Sequence, residues 1–348
     1  GFILPDTSLG LIEVSSVRAT DDRRELGNMN PSVRSIIAYN TDSEVIPTLR
    51  FNGVLMAQIV TRGALVAGSS SIVQLDAWNW EDAGYSIDDG IHLYWPSEYV
   101  KKFNPKDRSV LLEKNPKYDS LIDSLSNLFQ NARVYKEGSS LNFKLAATQK
   151  LYTQDKTLYI HVSRSREIIA AIGFARKEHI KNIVLIGARD AMEVKDLLLE
   201  EKIPVILNRV HGLPRTADDA VNFSYTLPAR LLASGIKVGL GAHSRMDPRG
   251  GRNLPFIAGT IAAYGLSKEQ ALTMITKTNA EILGIGDRVG TLALGKDATL
   301  FISIGDALDM RTNQIIKAFI QGRDIELEGT QQLLFKRFNR KYAKEASD

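Results

Sequence analysis

Five histidines, His92, His161, His179, His211 and His243, hold most of the acid–base and metal-binding capacity of this 348-residue chain, which contains no cysteine. Thiolate nucleophiles, disulfides, cysteine-ligated zinc and iron–sulfur clusters are thereby excluded. His161, His211 and His243 each follow an apolar run of strand length, whereas His179 ends a polar helical stretch and His92 has no assigned place. Imidazole is a common ligand of catalytic zinc, usually beside carboxylates and with one position left to water. Any one of these histidines is as well explained by a hydrogen-bonded structural role. Three of five at strand ends favour a shared site. Other polar residues stand at equivalent points: Asp6 and Ser8 after the first apolar run, Asp76 after residues 72–75, Asn208 and Arg209 after 203–207, and Ser244 and Arg245 beside His243. Arginines so placed suit a carboxylate substrate, and a surface salt bridge is the plainer role of each taken singly.

The elements that must position these groups are clearest in the second half. Apolar runs at 158–160, 183–186, 203–207 and 236–240 alternate with segments of helical periodicity, such as Ile168, Ile172 and Ala175 at i, i+4 and i+7. Such alternation gives parallel strands buried on both faces. The spacing of the strand starts suits a (β/α)8 barrel or a doubly wound sheet. In a barrel, the strand ends that carry His161, His211 and His243 form the mouth. Further strands are expected at 2–4, 11–14, 54–60, 71–75 and 91–94, and the stretch 116–149 reads as polar and helical. Residues 63–71, rich in glycine and serine, read as a βα loop, functional or merely connecting. After residue 288 short strands at 299–304 and 315–323 follow with no helix between them, and a basic tail at 333–348 reads as a surface helix or arm.

Composition narrows the partners. The charge balance, 44 basic against 40 acidic residues, gives only +4, too mild to imply nucleic acid or a membrane surface. No apolar run reaches the roughly 18 residues of a membrane-spanning helix. Residues 290–297 nearly match a phosphate-binding loop, but Asp297 replaces the magnesium-binding hydroxyl and the segment leads into a strand, so nucleotide binding is rejected.

Four segments together resemble the amidohydrolase superfamily, in its imidazolonepropionase-like or dihydroorotase/urease-like bacterial branch. Residues 234–244 resemble the family's last barrel strand, 264–284 its following helices, 288–300 its return into a composite β-sandwich, and 1–10 its first strand. The resemblance implies an α/β fold: a (β/α)8 TIM barrel over residues 1–288 with a small β-sandwich-type appendage and basic tail over 289–348. It implies hydrolysis of non-peptide or cyclic amide C–N bonds by metal-activated water. The family's paired first-strand histidines fall on Asp6 and Ser8, its fifth-strand histidine on His161, its sixth-strand histidine on Gly187 and its eighth-strand aspartate on His243. The usual two-metal site is therefore not expected. The resemblance leaves one divalent metal, zinc foremost, on His161, His243 and Asp6, with His243 and Asp6 as catalytic groups and Asp76, Asn208, Arg209, His211 and Arg245 as substrate contacts. The loop 245–253, with three arginines, is either an anion clamp or mobile. The alternative is a catalytically silent homologue without metal that binds a ligand or serves as a partner subunit.

The expected partners are a small-molecule substrate and a second copy or related subunit, with no nucleic acid and no membrane. Family members carry strands ahead of the first barrel strand, so the abrupt start at Gly1 is expected of a fragment or processed chain, with an exposed edge on the strands after residue 289. Any leader would lie upstream, which leaves cytoplasm and periplasm both open.

Overall fold

The structure is a computed structural model that describes residues 1–105, 108–136, 138, 141–154, 156–242 and 248–345, with side chains described up to residue 342. Eight strands make the main sheet: β1 (Phe2–Thr7), β2 (Val54–Ile59), β3 (Val66–Gln74), β4 (Gly84–Tyr94), then, after the hairpin of β5 (Tyr99–Phe103) and β6 (Val110–Lys114), β7 (Thr157–Val162), β8 (Ile183–Gly187), β9 (Val205–Leu207) and β10 (Val238–Leu240). They lie in that order around a nearly closed barrel. The helices are α1 (Ile46–Arg50), α2 (Trp80–Ala83), α3 (Tyr118–Val134), α4 (Phe143–Thr153), α5 (Ser165–Lys177), α6 (Lys195–Glu200), α7 (Phe223–Ala233), α8 (Leu254–Ala263), α9 (Lys268–Met274), α10 (Lys277–Ile282) and α11 (Thr330–Glu345). None of the described helices is long and apolar enough to cross a membrane.

The expected alternation of strand and helix is found from β7 to β10, all mutually parallel. Period-2 alternation sorts their side chains. On β7 Leu158 and Ile160 join the cluster beneath the helices, while Tyr159 packs inside the barrel with Ile3, Val184, Ile186 and Ile206. His161, two residues after Tyr159, shares its inward face. Gly90 of β4 leaves room for the Tyr159 ring, since a Cβ there would lie 2.5 Å from it.

The first half departs from simple repetition. β1 and β2 are parallel, but β3 runs antiparallel to both β2 and β4. Two expectations change with it. Residues 66–71 are buried strand rather than loop. Asp76, expected at the mouth, follows the end of a reversed strand and so lies at the opposite rim. There its carboxylate pairs with Arg50 at 2.6 Å and with Arg323 at 3.4 Å. The hairpin β5–β6 was not expected. All ten of its residues are exposed, so they carry no inside–outside alternation to read.

One buried polar side chain bridges the seam of the barrel. The fully buried Asn279 of α10 donates from Nδ2 to the carbonyls of Ile3 and Leu240, each at 2.8 Å, and accepts from the Leu240 backbone N–H at 3.0 Å. It thus joins β1 to β10 where a ladder would otherwise be needed. Gly239 makes space for it, because a Cβ at that position would stand 2.4 Å from Asn279 Oδ1.

Beyond the barrel, β11 (Leu300–Ser303), β12 (Ile315–Ile320) and β13 (Arg323–Ile325) form an antiparallel sheet, β11 and β13 at its edges. Ile315, Ala318, Ile320 and Ile325 pack on Leu55 at the rim away from the mouth. The described part of the basic tail, up to Glu345, lies in helix α11, with Phe335 and Phe338 exposed.

Candidate metal centre at the barrel mouth

Three side chains from three strands converge at the mouth: Asp6 of β1, His92 of β4 and His161 of β7. One donor atom from each lies within 4.8 Å of the others. The register places them there. β4 and β7 run parallel, with His92 opposite Tyr159 and Tyr94 opposite His161. The alternation that sends Ile91 and Leu93 outward turns His92 inward. Asp6 sits within a register shift of β1 and takes a left-handed φ of +52°, rare for a residue with a side chain. Backbone of this kind persists only where its surroundings hold it. Here they do: Arg62 donates to the Asp6 carbonyl at 2.8 Å, and the Asp6 N–H donates to Gln58 Oε1 at 3.3 Å.

The carboxylate of Asp6 is buried. Its Oδ2 accepts from Asn208 Nδ2 at 3.2 Å, and Arg62 stands 3.4 Å from Oδ1, which has no hydrogen-bond partner among the described residues. His161 Nε2 lies 3.9 Å from that oxygen and 2.9 Å from His92 Nδ1. Aromatic rings fix both imidazoles: Tyr94 stacks on His161 with centroids 3.9 Å apart, and Tyr159 on His92 at 4.7 Å. Burial, and after it the neighbouring His161, holds His92 well below the ordinary histidine range, so its ring is neutral. Neutral imidazole is the form that ligates metal.

These residues fit a divalent metal. Tetrahedral zinc with ligand bonds of about 2.0–2.2 Å needs donors roughly 3.3 Å apart. The observed 2.9 and 3.9 Å bracket that spacing. An unpartnered buried carboxylate oxygen and a neutral imidazole are donors that a cation would satisfy.

Below the cluster lies a second buried carboxylate, Asp89. It accepts from Gln58 Nε2 at 2.8 Å and from the Tyr159 hydroxyl at 2.9 Å. Gln58 thus ties Asp89 to the Asp6 backbone, and Tyr159 ties it to the ring beneath His92. Burial pushes the Asp89 carboxyl up to about 6, against the hydrogen bonds that favour its charged form. The folded protein therefore binds this proton more tightly than the unfolded chain. Its contribution to stability is present below the unfolded pKa and lost as pH rises through about 6. Asp89→Asn is expected to gain on the parent by roughly 3 kcal/mol as pH rises from about 4 to above 6. Urea unfolding of both proteins across that range checks this, and a pH-independent difference would show that Asp89 is not protonated in the fold.

Beside the cluster a cleft of about 530 Å³ opens at the ends of β7, β8 and β9, lined among others by His161, Trp95, Asn208, Arg189, Arg209 and Arg215. Of the residues expected at the site, Asp6, His161, Asn208 and Arg209 come together here. His211 does not: it is exposed, its Nε2 lies 2.9 Å from Thr260 Oγ1, and its ring stacks on Tyr225. The chain beyond Leu207, where β9 ends, still lines the cleft at Val210 and Gly212, but the His211 side chain is not among its lining residues. His243 and Arg245 fall outside the described residues, with part of the 245–253 loop. Two site residues escaped the sequence reading, His92 and Arg62. Inward alternation on the strand at 91–94 was the signal available for His92. Arg62 lies past the end of its strand and had none.

Comparison with known proteins agrees with this architecture. The amidohydrolase family model matches residues 146–324. Among solved structures, an amidohydrolase from Thermotoga maritima MSB8 is 22% identical, with 94% of this chain and 86% of that chain covered and a TM-score of 0.81. A prolidase complexed with N-methylphosphonate-L-proline is 14% identical over 94% of this chain and 86% of that chain, with a TM-score of 0.52. No curated protein sequence matches. The matched model spans β7 to β13, including the strand of His161 and the Asn279 closure, so the chain belongs to the amidohydrolase family.

Proposed function

We propose that this chain is a metal-dependent hydrolase of carbon–nitrogen bonds with a single divalent ion, zinc foremost, held by Asp6, His92 and His161. The observation that carries this reading is the convergence of these three donors around a carboxylate oxygen that lacks a hydrogen bond. His92 joins Asp6 and His161 as the third donor among the described residues, while His243, the third ligand expected from the sequence, lies outside them. When bound, a divalent ion would lower the pKa of a water toward about 7 and polarise a substrate carbonyl. The chain's own residues do the rest. Arg62 holds the Asp6 backbone carbonyl and Asn208 its carboxylate, while Tyr94 and Tyr159 fix the imidazole planes. Among the described residues Asp6 is the sole carboxylate of the cluster, so it is the group there that could hold a proton.

One observation favours the other reading, a silent homologue. Arg62 already places positive charge 3.4 Å from Asp6 Oδ1, beside the position a cation would take. Metal content separates the two. After reconstitution with zinc, manganese or iron, about one ion per chain is expected, together with turnover in a panel of hydantoins, dipeptides and lactams. Protein that takes up none of the three metals would overturn the hydrolase reading.

A further inference from the structure

Helix α11 presents two chemically different faces to solvent. At about 100° per residue, Leu334, Phe335, Phe338 and Tyr342 fall on one side, and Lys336, Arg337, Arg340 and Lys341 on the other, with Leu333 among them. All are exposed, Phe335 at 69%. Residues 330–342 hold these four basic side chains and no acidic one, so a chain-wide balance of only +4 conceals a local concentration of charge. Lys336 pairs with Glu328, just ahead of the helix, whereas Arg337, Arg340 and Lys341 have no ion pair among the described residues. The root of the helix is fixed on α1: the Thr330 hydroxyl donates to Glu44, and a Cβ on Gly329 would stand 3.0 Å from Pro47. A further exposed aromatic borders α1. Trp78, 90% exposed, follows Asp76, which pairs with Arg50 of α1 and Arg323 of β13, and the Trp78 carbonyl accepts from Thr41 Oγ1 at 3.2 Å. Trp78 and the root of α11 therefore share the rim away from the mouth.

We propose that α11, together with Trp78, seats the protein on an anionic lipid surface and leaves the barrel mouth facing the water. A helix with aromatic and leucine side chains on one face and lysine and arginine on the other lies in the plane of a bilayer, its apolar face among the upper acyl chains and its cations at the lipid phosphates. At 16 residues α11 is shorter than the roughly 20 needed to span, so it rests on the surface rather than crossing it. Tryptophan favours that same boundary, where its ring is half in hydrocarbon and its N–H is solvated. Charge complementarity selects the lipid among the possible occupants. A second copy could cover the phenylalanines, but it would bring four more cations and no acidic side chain of its own α11 to meet them. A nucleic acid would meet the basic face and leave Phe335, Phe338 and Tyr342 in water. Because the metal centre stands at the opposite end of the barrel, docking on this rim does not obstruct it.

The test is co-sedimentation of the full chain with vesicles of phosphatidylcholine alone or with one third phosphatidylglycerol. Binding is expected to be ten-fold or more stronger on the anionic vesicles and to weaken as salt rises. Each lysine or arginine near such a surface is worth about five-fold in binding. The pair Arg337→Gln and Arg340→Gln is therefore expected to lose about twenty-fold, and the pair Phe335→Ser and Phe338→Ser at least ten-fold. Trp78→Ala is expected to lose a smaller factor, about three-fold. All these side chains are exposed, so each variant is expected to melt with the parent, which separates lost binding from lost folding. Equal sedimentation with both vesicles, sedimentation with neither, or binding unchanged in both double variants would overturn the proposal. So would a lipid-free dimer that the phenylalanine pair disperses, since that would give the face to a second copy, or binding to a short DNA duplex stronger than to the anionic vesicles.

Discussion

His161→Ala is expected to lose metal and turnover together while keeping the fold. His161 supplies one of three donor atoms, and its Nε2 is the atom shared between the other two, 2.9 Å from His92 and 3.9 Å from Asp6. Loss of a residue that merely orients a ligand costs about 10–100-fold in metal affinity or activity. Loss of the ligand itself should exceed that range. The stability cost should be small by comparison, because the ring lies at the rim, stacked on Tyr94 but open to the cleft. Water can fill the space it leaves. Metal content, hydrolysis and a thermal melt on one preparation check this. Normal metal content, or activity within ten-fold of the parent, would show that His161 is no ligand.

Asn279→Ala is expected to show the converse pattern: a large loss of stability without any direct contact with the site. Three buried backbone groups, the carbonyls of Ile3 and Leu240 and the N–H of Leu240, would lose their partner. A buried polar group left unsatisfied costs about 1–3 kcal/mol. The sum is therefore about 3 kcal/mol or more, against a typical total stability of roughly 5–15 kcal/mol. Because Asn279 joins the first strand to the last, the damage should centre on the seam. Hydrogen exchange is expected to quicken at β1 and β10 before β7 and β8. A shift in urea midpoint worth less than about 1 kcal/mol would mean that the barrel closes by other means.

The sequence and the fold agree best where local pattern alone decides the structure. The strands from β7 to β10 are continuous apolar runs between amphipathic helices, and both burial and order follow from that pattern. Direction is different. Hydrophobicity reads the same forwards and backwards, so the reversal of β3 leaves no trace in composition, and Asp76 was assigned to the wrong rim. Asp6 was found from its place after the first apolar run. The left-handed backbone that aims it comes from contacts with Arg62 and Gln58, residues more than fifty positions away. Asn279 is equally silent: a polar residue in an ordinary helix reveals its role only when the two ends of the sheet meet around it.

The metal itself is the most direct measurement. Crystals grown with zinc and measured on both sides of the zinc absorption edge are expected to show one anomalous peak per chain, about 2.0–2.2 Å from Asp6, His92 and His161. A mouth without such a peak, with His92 and His161 still hydrogen-bonded directly to each other, would contradict the metal centre.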